Sequence, residues 1–378
     1  MRQLLCALLL LIASLGPAGA QSFETSARAA IVIDASTGDV LLAKNADERL
    51  PPASMSKLMT AYVVFDKLAS GLLKLEDELP VSEKAWRTGG SKMFVAVGTR
   101  VPVQELLQGI IIQSGNDACI VVAEGLAGSE PAFADKMNEK ATELGLTNSH
   151  FSNATGLDEP QHFMSVRDLA TLARAIITRF PQFYKYYSMT DFTYNGIKQP
   201  NRNPLLQAKV PGVDGMKTGF TDEAGYGLVA SAQRDGLRLI MVLAGLESPT
   251  ARRQEGERVL EYAFREFHSY PLFKEGETIA ATGVWMGETS SVALVADGTV
   301  AVTLSRDARA GLQVKLNYDN PVPAPVQKGQ KLGDIQISAP GMPVRTVPLL
   351  AAADVPRAGA MGRLGASVTH LLGLGSGG

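Results

Sequence analysis

Cysteine is almost missing from this chain: two among 378 residues, Cys6 and Cys119. Cys6 lies in Met1–Ala20, where Arg2 precedes an apolar run from Leu4 to Leu15 and the small residues Ala18-Gly19-Ala20. That pattern reads as a secretory leader with its cleavage site. Its removal leaves Cys119 alone, so the mature chain has no internal disulfide and one large core is expected to hold it. Flanked by Ala118, Ile120 and Val121, Cys119 reads as a small core hydrophobe rather than a nucleophile. Histidine is scarce as well: the four, at 150, 162, 268 and 370, lack metal-ligand spacing. His150 and His162 are expected in loops or at the surface, and His370 falls in the tail. No Gly-x-Ser-x-Gly elbow occurs, which leaves a Ser-His-Asp hydrolase of that type without its nucleophile turn. Net charge is -2 and no basic block appears, so nothing points to nucleic acid. The apolar run of the leader is short for a membrane span, and no other stretch is long enough. The expectation is a protein exported across the cytoplasmic membrane that needs neither metal nor cofactor.

What is present divides the chain into regions. Ala29 to Asp34 and Asp39 to Ala43 read as strands around the turn Ala35-Ser36-Thr37-Gly38. Helices are predicted near 54–69, 102–112, 116–127, 131–145 and 166–179. The last opens on Ser165-Val166-Arg167-Asp168, a capping-box-like start. Gly225 to Gln233 and Leu237 to Ala244 read as a strand pair turning at Arg234-Asp235-Gly236, and Arg253 to Phe267 returns to helix. Strands at both ends with helices between predict one α/β domain, 21–269, whose first and last strands share a sheet. From about residue 270 to 350, short strand-like runs punctuated by Gly and Pro predict a smaller all-β domain. The tail, 351–378, is rich in Gly and Ala.

Three stretches carry chemistry. In Pro51-Pro52-Ala53-Ser54-Met55-Ser56-Lys57, a helix is predicted to begin near Ala53 or Ser54, which places the Ser54 hydroxyl beside the Lys57 amine one turn on. The helix dipole there favours an alkoxide and disfavours a charged lysine, and such a pair is an activated nucleophile. The bland alternative is a capped core helix with a solvated lysine. Ser114-Gly115-Asn116 reads as a polar corner between two buried helices. Lys217-Thr218-Gly219 sits on a strand with Gly where something approaches the backbone. Each has a dull reading, a helix corner or an edge-strand lysine. The three in this order are much harder to obtain by chance.

Ser-x-x-Lys, Ser-x-Asn and Lys-Thr-Gly in succession resemble the penicillin-recognising serine enzymes. The surroundings narrow the likeness: Gly90-Ser91-Lys92-Met93-Phe94, Ser114-Gly115-Asn116-Asp117-Ala118-Cys119, Ser165-Val166-Arg167-Asp168-Leu169 and Val213-Asp214-Gly215-Met216-Lys217-Thr218-Gly219. Together they resemble the D-alanyl-D-alanine carboxypeptidases of the low-molecular-mass penicillin-binding protein type. These are serine peptidases that trim peptidoglycan stem peptides and are acylated by β-lactams. The resemblance is close over residues 25 to 270, and the β region matches by position and character. It implies helices packed on an antiparallel sheet followed by a β-rich domain, and a periplasmic or extracytoplasmic location. It also implies peripheral contact with the membrane surface through an amphipathic tail, where Leu364, Val368, Leu371 and Leu372 share a helical face.

The resemblance further implies roles. Ser54 would attack the carbonyl of the penultimate D-alanine, and Lys57, if neutral beside Lys217, would take its proton. Ser114 would relay a proton to the leaving amine, and Asn116 would hold the Lys57 amine and the substrate amide. Lys217 would supply positive potential. Thr218 would bind the terminal carboxylate, next to Gly219, with Arg252 assisting and Arg253 as its rival. Backbone N–H groups of Ser54 and Phe220 would form the oxyanion hole, and Phe220 stands where some relatives have His. Other readings are an endopeptidase cutting D-alanyl cross-links, a β-lactamase and a non-catalytic peptidoglycan-binding relative. A class A β-lactamase would carry Glu-x-x-Leu-Asn between the second and third motifs. The nearest approach, Glu143-Leu144-Gly145-Leu146-Thr147, lacks the Asn. Asn153-Ala154-Thr155 matches a glycosylation triplet of a kind common by chance.

Overall fold

Six buried residues in succession, Ala29–Asp34, form strand β1, and Val40–Lys44 folds back on it as β2. In the computed structural model, which describes residues 23–359, this pair belongs to a five-stranded antiparallel sheet. A 3₁₀ turn, Ala53–Ser56, then leads directly into helix α1, Lys57–Ala69. Strand β3 (Glu78–Pro80), helix α2 (Glu83–Arg87) and strand β4 (Arg100–Pro102) follow, with β3 and β4 paired. The helix predicted at 102–112 is two pieces: α3, Val103–Gln108, and a π-helical turn, Gly109–Gln113.

Helices α4 (Asn116–Ala127), α5 (Glu130–Glu143) and α6 (Val166–Arg179) lie close to their predicted bounds. Ser165 Oγ caps α6 by accepting from the Asp168 N–H at 3.1 Å. The Asp168 carboxylate does not reach back as a capping box requires, but accepts from Asn148 N and Ser149 Oγ, each at 2.8 Å. A short α7 (Pro181–Tyr184), the hairpin β5 (Asp191–Tyr194) and β6 (Ile197–Pro200), and α8 (Pro204–Gln207) come next. Strands β7 (Val213–Thr221), β8 (Gly225–Arg234) and β9 (Leu237–Leu246) complete the sheet in the order β2-β1-β9-β8-β7. Helix α9 starts at Pro249, not Arg253, because Ser248 Oγ accepts from Ala251 N at 3.0 Å and Pro occupies the first turn.

The sheet divides the core in two, against the expectation of a single one. Successive side chains of a strand point to opposite faces. Ile31 and Ile33 pack with Leu58, Phe65 and Leu107 under the helices, while Ala30 and Val32 pack with Leu228, Val259 and Leu260 under α9. Both faces are covered, so β1 is apolar throughout rather than alternating. A third core belongs to the β region.

Helix α9 ends at Glu266 rather than Phe267, and the chain passes at once into β10, Phe267–Phe273. Then follow β11 (Ala280–Trp285), β12 (Ser291–Ala296), β13 (Val300–Ser305), the single turn α10 (Arg306–Arg309), β14 (Gln313–Tyr318), β15 (Val322–Pro323), β16 (Lys331–Ala339) and β17 (Met342–Ala351). Six of them form a sheet ordered β14-β16-β17-β12-β11-β15, and β10 pairs with β13. Among the described residues no helix is long and apolar enough to cross a membrane. The leader at 1–20 and the apolar tail face at Leu364–Leu372 lie outside the described residues.

His162 lies in a loop, as expected, but not at the surface. His162 is buried, edge-on to Phe151, with Nδ1 accepting from Ser152 N at 3.3 Å. Burial holds its imidazole down at about 4, so it sits in the fold as a neutral ring.

Candidate active site

The Pro51-Pro52 pair ends the extended chain, and Ala53 turns it with φ +49°, a left-handed conformation rare for a side chain larger than hydrogen. Two glycines make room for that turn. A Cβ at Gly219 would lie 2.8 Å from Pro52 O, and one at Gly156 would lie 2.0 Å from Ala53 O. Strand β7 and the 153–157 loop therefore both close on the Ser54 turn. Ser54 is half-buried and Lys57 is buried one turn later. Lys57 Nζ lies 2.6 Å from Ser54 Oγ and donates to Thr155 O, also at 2.6 Å.

Thr155 O is brought there by an Asx turn. Asn153 Oδ1 accepts from Thr155 N at 3.0 Å, Thr155 Oγ1 at 2.9 Å and Gly156 N at 2.7 Å. The triplet that resembles a glycosylation signal thus shapes the wall of the site. No residue-type rule marks a backbone carbonyl as functional, and the turn-forming Asn-x-Thr-Gly was the only available hint.

The second motif lies where the π-helical turn meets α4. Ser114, at φ +62°, breaks the helix and donates its position to the cleft. Lys217 Nζ of β7 donates to Ser114 Oγ at 2.9 Å and to Thr218 O at 3.1 Å. Ser54–Lys57 and Ser114–Lys217 are thus two hydroxyl–amine pairs, with both amines fully enclosed. Burial pushes Lys57 down to about 8. Burial, helped by the charges of Lys57 and Arg202, pushes Lys217 well below the usual lysine range. Cys119, one turn into α4, is buried with its thiol pushed up to about 12 by burial, which suits a core residue.

Asn116 departs from its expected contact. Its Nδ2 donates to Gly89 O at 2.9 Å and its N–H to Ser91 O at 2.7 Å, so it holds the 89–91 loop rather than the Lys57 amine. Asp117 continues this work, accepting from the N–H groups of Met93, Phe94 and Val95 at 2.9, 2.8 and 3.2 Å. Arg202, not foreseen from the sequence, donates from Nη1 to Ser91 Oγ at 2.5 Å across the cleft.

At the far end of β7, the Thr218 hydroxyl makes no hydrogen bond among the described residues. Phe220 is 47% exposed, so this corner of the cleft is open to solvent. Arg252 reaches Gly219 O from α9 with Nη1 at 3.5 Å, whereas its rival Arg253 is exposed and paired with Glu257 at 3.2 Å. Among the described residues no group of three or more His, Cys, Asp or Glu side chains could hold a metal. The arrangement places a serine hydroxyl beside an amine of lowered pKa, a pairing suited to nucleophilic attack on an acyl carbon.

Known proteins share this arrangement of domains. Residues 17–248 match the family model of D-alanyl-D-alanine carboxypeptidases, and residues 267–357 match that of the penicillin-binding protein 5 C-terminal domain. The D-alanyl-D-alanine carboxypeptidase DacC of Escherichia coli K12 is 41% identical over 368 residues, covering 95% of this chain and 92% of the relative. Penicillin-binding protein 5 of Haemophilus influenzae superposes with a TM-score of 0.84 at 36% identity, covering 90% of this chain and 100% of that one. The ampicillin-bound form of penicillin-binding protein D2 from Listeria monocytogenes matches 64% of this chain and 98% of its own, at 31% identity and TM-score 0.59. With serine, lysines and both domains accounted for, the chain belongs to the D-alanyl-D-alanine carboxypeptidase family.

Proposed function

We propose that this serine hydrolase removes the terminal D-alanine from peptidoglycan stem pentapeptides through an acyl-enzyme on Ser54. What carries this reading is the 2.6 Å approach of Ser54 Oγ to a fully buried Lys57 whose amine is depressed to about 8. In its neutral form Lys57 accepts the Ser54 proton as the hydroxyl oxygen attacks the penultimate D-alanyl carbonyl. The Thr155 carbonyl holds that amine in line. N–H groups of Ser54 and Phe220 receive the developing oxyanion, supported by the tight packing of Gly219 on the Ser54 turn. Ser114, bonded to Lys217, passes a proton to the leaving D-alanine amine. Thr218 and Arg252 take its carboxylate, and water then releases the shortened peptide.

A β-lactam places an amide and a carboxylate as the substrate does, so it acylates the same serine. Its ring fragment stays attached and blocks water. The decisive experiment incubates the mature protein with stem pentapeptide and, separately, with penicillin, read by intact-mass spectrometry. Loss of one D-alanine from the peptide and one long-lived penicilloyl adduct, both absent in Ser54→Ala, are expected. Rapid penicillin turnover without peptide cleavage would establish a β-lactamase instead. Neither event, in folded protein, would leave a binding module.

The leader at Met1–Ala20 supports action outside the cytoplasmic membrane. The apolar face of Leu364, Val368, Leu371 and Leu372 supports peripheral attachment by the tail. Gly362, Gly365 and Gly373 weaken that helix by up to about 1 kcal/mol each, so the attachment is weak. Co-sedimentation with anionic liposomes should be lost in a chain ending at Gly359, and equal partitioning of both forms would remove the anchor.

A further inference from the structure

Among the described residues nothing acidic pairs with Arg252. Among those residues its Nε is buried without a hydrogen bond, and its contact with Gly219 O is long at 3.5 Å. A guanidinium so loosely bonded needs another support to hold one orientation at the mouth of the cleft. Two aromatic rings provide it. The guanidinium carbon lies 5.5 Å from the centre of the Tyr226 ring. That ring stacks in turn on Phe220, with centroids 4.2 Å apart and planes 25° from parallel.

Phe220 and Tyr226 are direct cross-strand partners of β7 and β8, so the stack is fixed by sheet register and not by loop conformation. Tyr226 packs on the same side of the sheet as Leu228, the side covered by α9, and Arg252 comes from the first turn of that helix. Arginine, tyrosine and phenylalanine form a ladder from the first turn of α9 across the paired ends of β8 and β7, on the sheet face that also carries Thr218. A cation over an aromatic face is attracted by the ring quadrupole, and a planar guanidinium can stack there while its N–H edge stays free to meet a carboxylate.

We infer that Tyr226, backed by Phe220, is a positioning residue that aims the Arg252 guanidinium at the terminal carboxylate of the substrate. This rests on the reading of Arg252 as a carboxylate-binding group. Tyr226 touches no reacting atom. Its effect is on discrimination between a peptide ending in a free carboxylate and the same peptide ending in a carboxamide.

The test compares kcat and KM for a D-alanyl-D-alanine peptide and its C-terminal amide in Tyr226→Leu, Tyr226→Phe, Arg252→Ala and the Tyr226→Leu/Arg252→Ala double variant. Tyr226→Leu should lower kcat/KM for the acid by about five-fold, mainly through KM, and change the amide less than two-fold. Tyr226→Phe keeps the ring and should restore the acid. In the Arg252→Ala background Tyr226→Leu should have no further effect, because the group it positions is gone. Equal losses on acid and amide, a full additional loss in the double variant, or no loss in Tyr226→Leu would each overturn the role of Tyr226. If Arg252→Ala itself leaves the acid-to-amide ratio unchanged, the reading of Arg252 falls, and the ladder's role with it.

Discussion

At the scale of single residues, Lys57 sets activity against stability. Burial lowers its amine to about 8, so the unfolded chain holds the proton more tightly between that value and the ordinary lysine range. Folding stability from this group therefore rises with pH above about 8, and at neutral pH the buried charge costs about 3 kcal/mol. Lys57→Met removes that cost and loses the bonds to Ser54 Oγ and Thr155 O, each worth about 1 kcal/mol. The variant should be more stable at pH 7 by about 1 kcal/mol in thermal unfolding while penicillin acylation is abolished. A less stable variant would show that the amine is already neutral in the fold. In the native enzyme, acylation should rise with pH through about 8 and level off above it, as Lys57 loses its proton. Arg252→Ala should lower kcat/KM on peptide by roughly 10- to 150-fold, and Arg253→Ala, whose side chain is exposed and paired with Glu257, by less than two-fold. The residues proposed to do chemistry with their side chains were legible because that chemistry demands those types at those spacings. Thr155, which acts through a backbone carbonyl, and Asp117, which acts by holding three N–H groups, were not. Any residue can supply a carbonyl, and an aspartate after Asn116 could equally be a helix-start charge.

Among elements, the helices with a clear apolar face were legible, and those whose shape is imposed from outside were not. The 3₁₀ turn at Ala53–Ser56 exists because Gly156 and Gly219 let two neighbours close on it, which local propensity does not encode. Strand β10 begins at Phe267, where the apolar spacing of α9 runs on unchanged, so the pattern read as helix one residue too far. The hairpin β5–β6 did carry a signal: Asn195-Gly196, with φ of +47° and +72°, is the turn pair of a two-residue hairpin. The Gly156 contact gives the sharpest test at this scale. Gly156→Ala combines a left-handed φ of +78° with a Cβ 2.0 Å from Ala53 O, so the 153–157 loop must leave the Ser54 turn. A loss of about 2–4 kcal/mol and more than 100-fold slower penicillin acylation are expected. Gly145→Ala is the control: its φ is +70° but nothing lies within 4 Å, so it should cost only about 1 kcal/mol and leave acylation unchanged. If the two variants behave alike in thermal unfolding and acylation rate, backbone conformation alone matters and the contact does not.

For the whole molecule, the two domains meet through a polar clamp rather than an apolar face. Asp34 and Asp39, read from sequence as ends of a hairpin turn, are both buried. Asp39 Oδ2 accepts from Thr303 N at 2.8 Å, and Asp34 Oδ2 accepts from Thr303 Oγ1. Arg345 of β17 completes the clamp, donating to Asp39 Oδ1 at 3.0 Å and to Ala301 O. The partners are 264 residues apart in the chain for Asp39 and Thr303, which is why no local pattern announced them. A buried carboxylate is stable only while its hydrogen bonds are made, and losing a charged donor costs about 1.5–3 kcal/mol. Arg345→Met keeps the length of the side chain but leaves Asp39 Oδ1 without its partner. That cost should fall on the junction, so calorimetry should resolve two transitions, with the β domain melting first, where the native protein should give overlapping ones. The sheet order places β1 and β2 at the edge opposite β7, so the clamp and the Ser54–Lys217 cleft stand at different ends of the catalytic domain. Penicillin acylation per folded molecule should then be unchanged in Arg345→Met. A matching fall in acylation rate would mean that the β domain supports the cleft through the sheet, and that the two domains work as one unit.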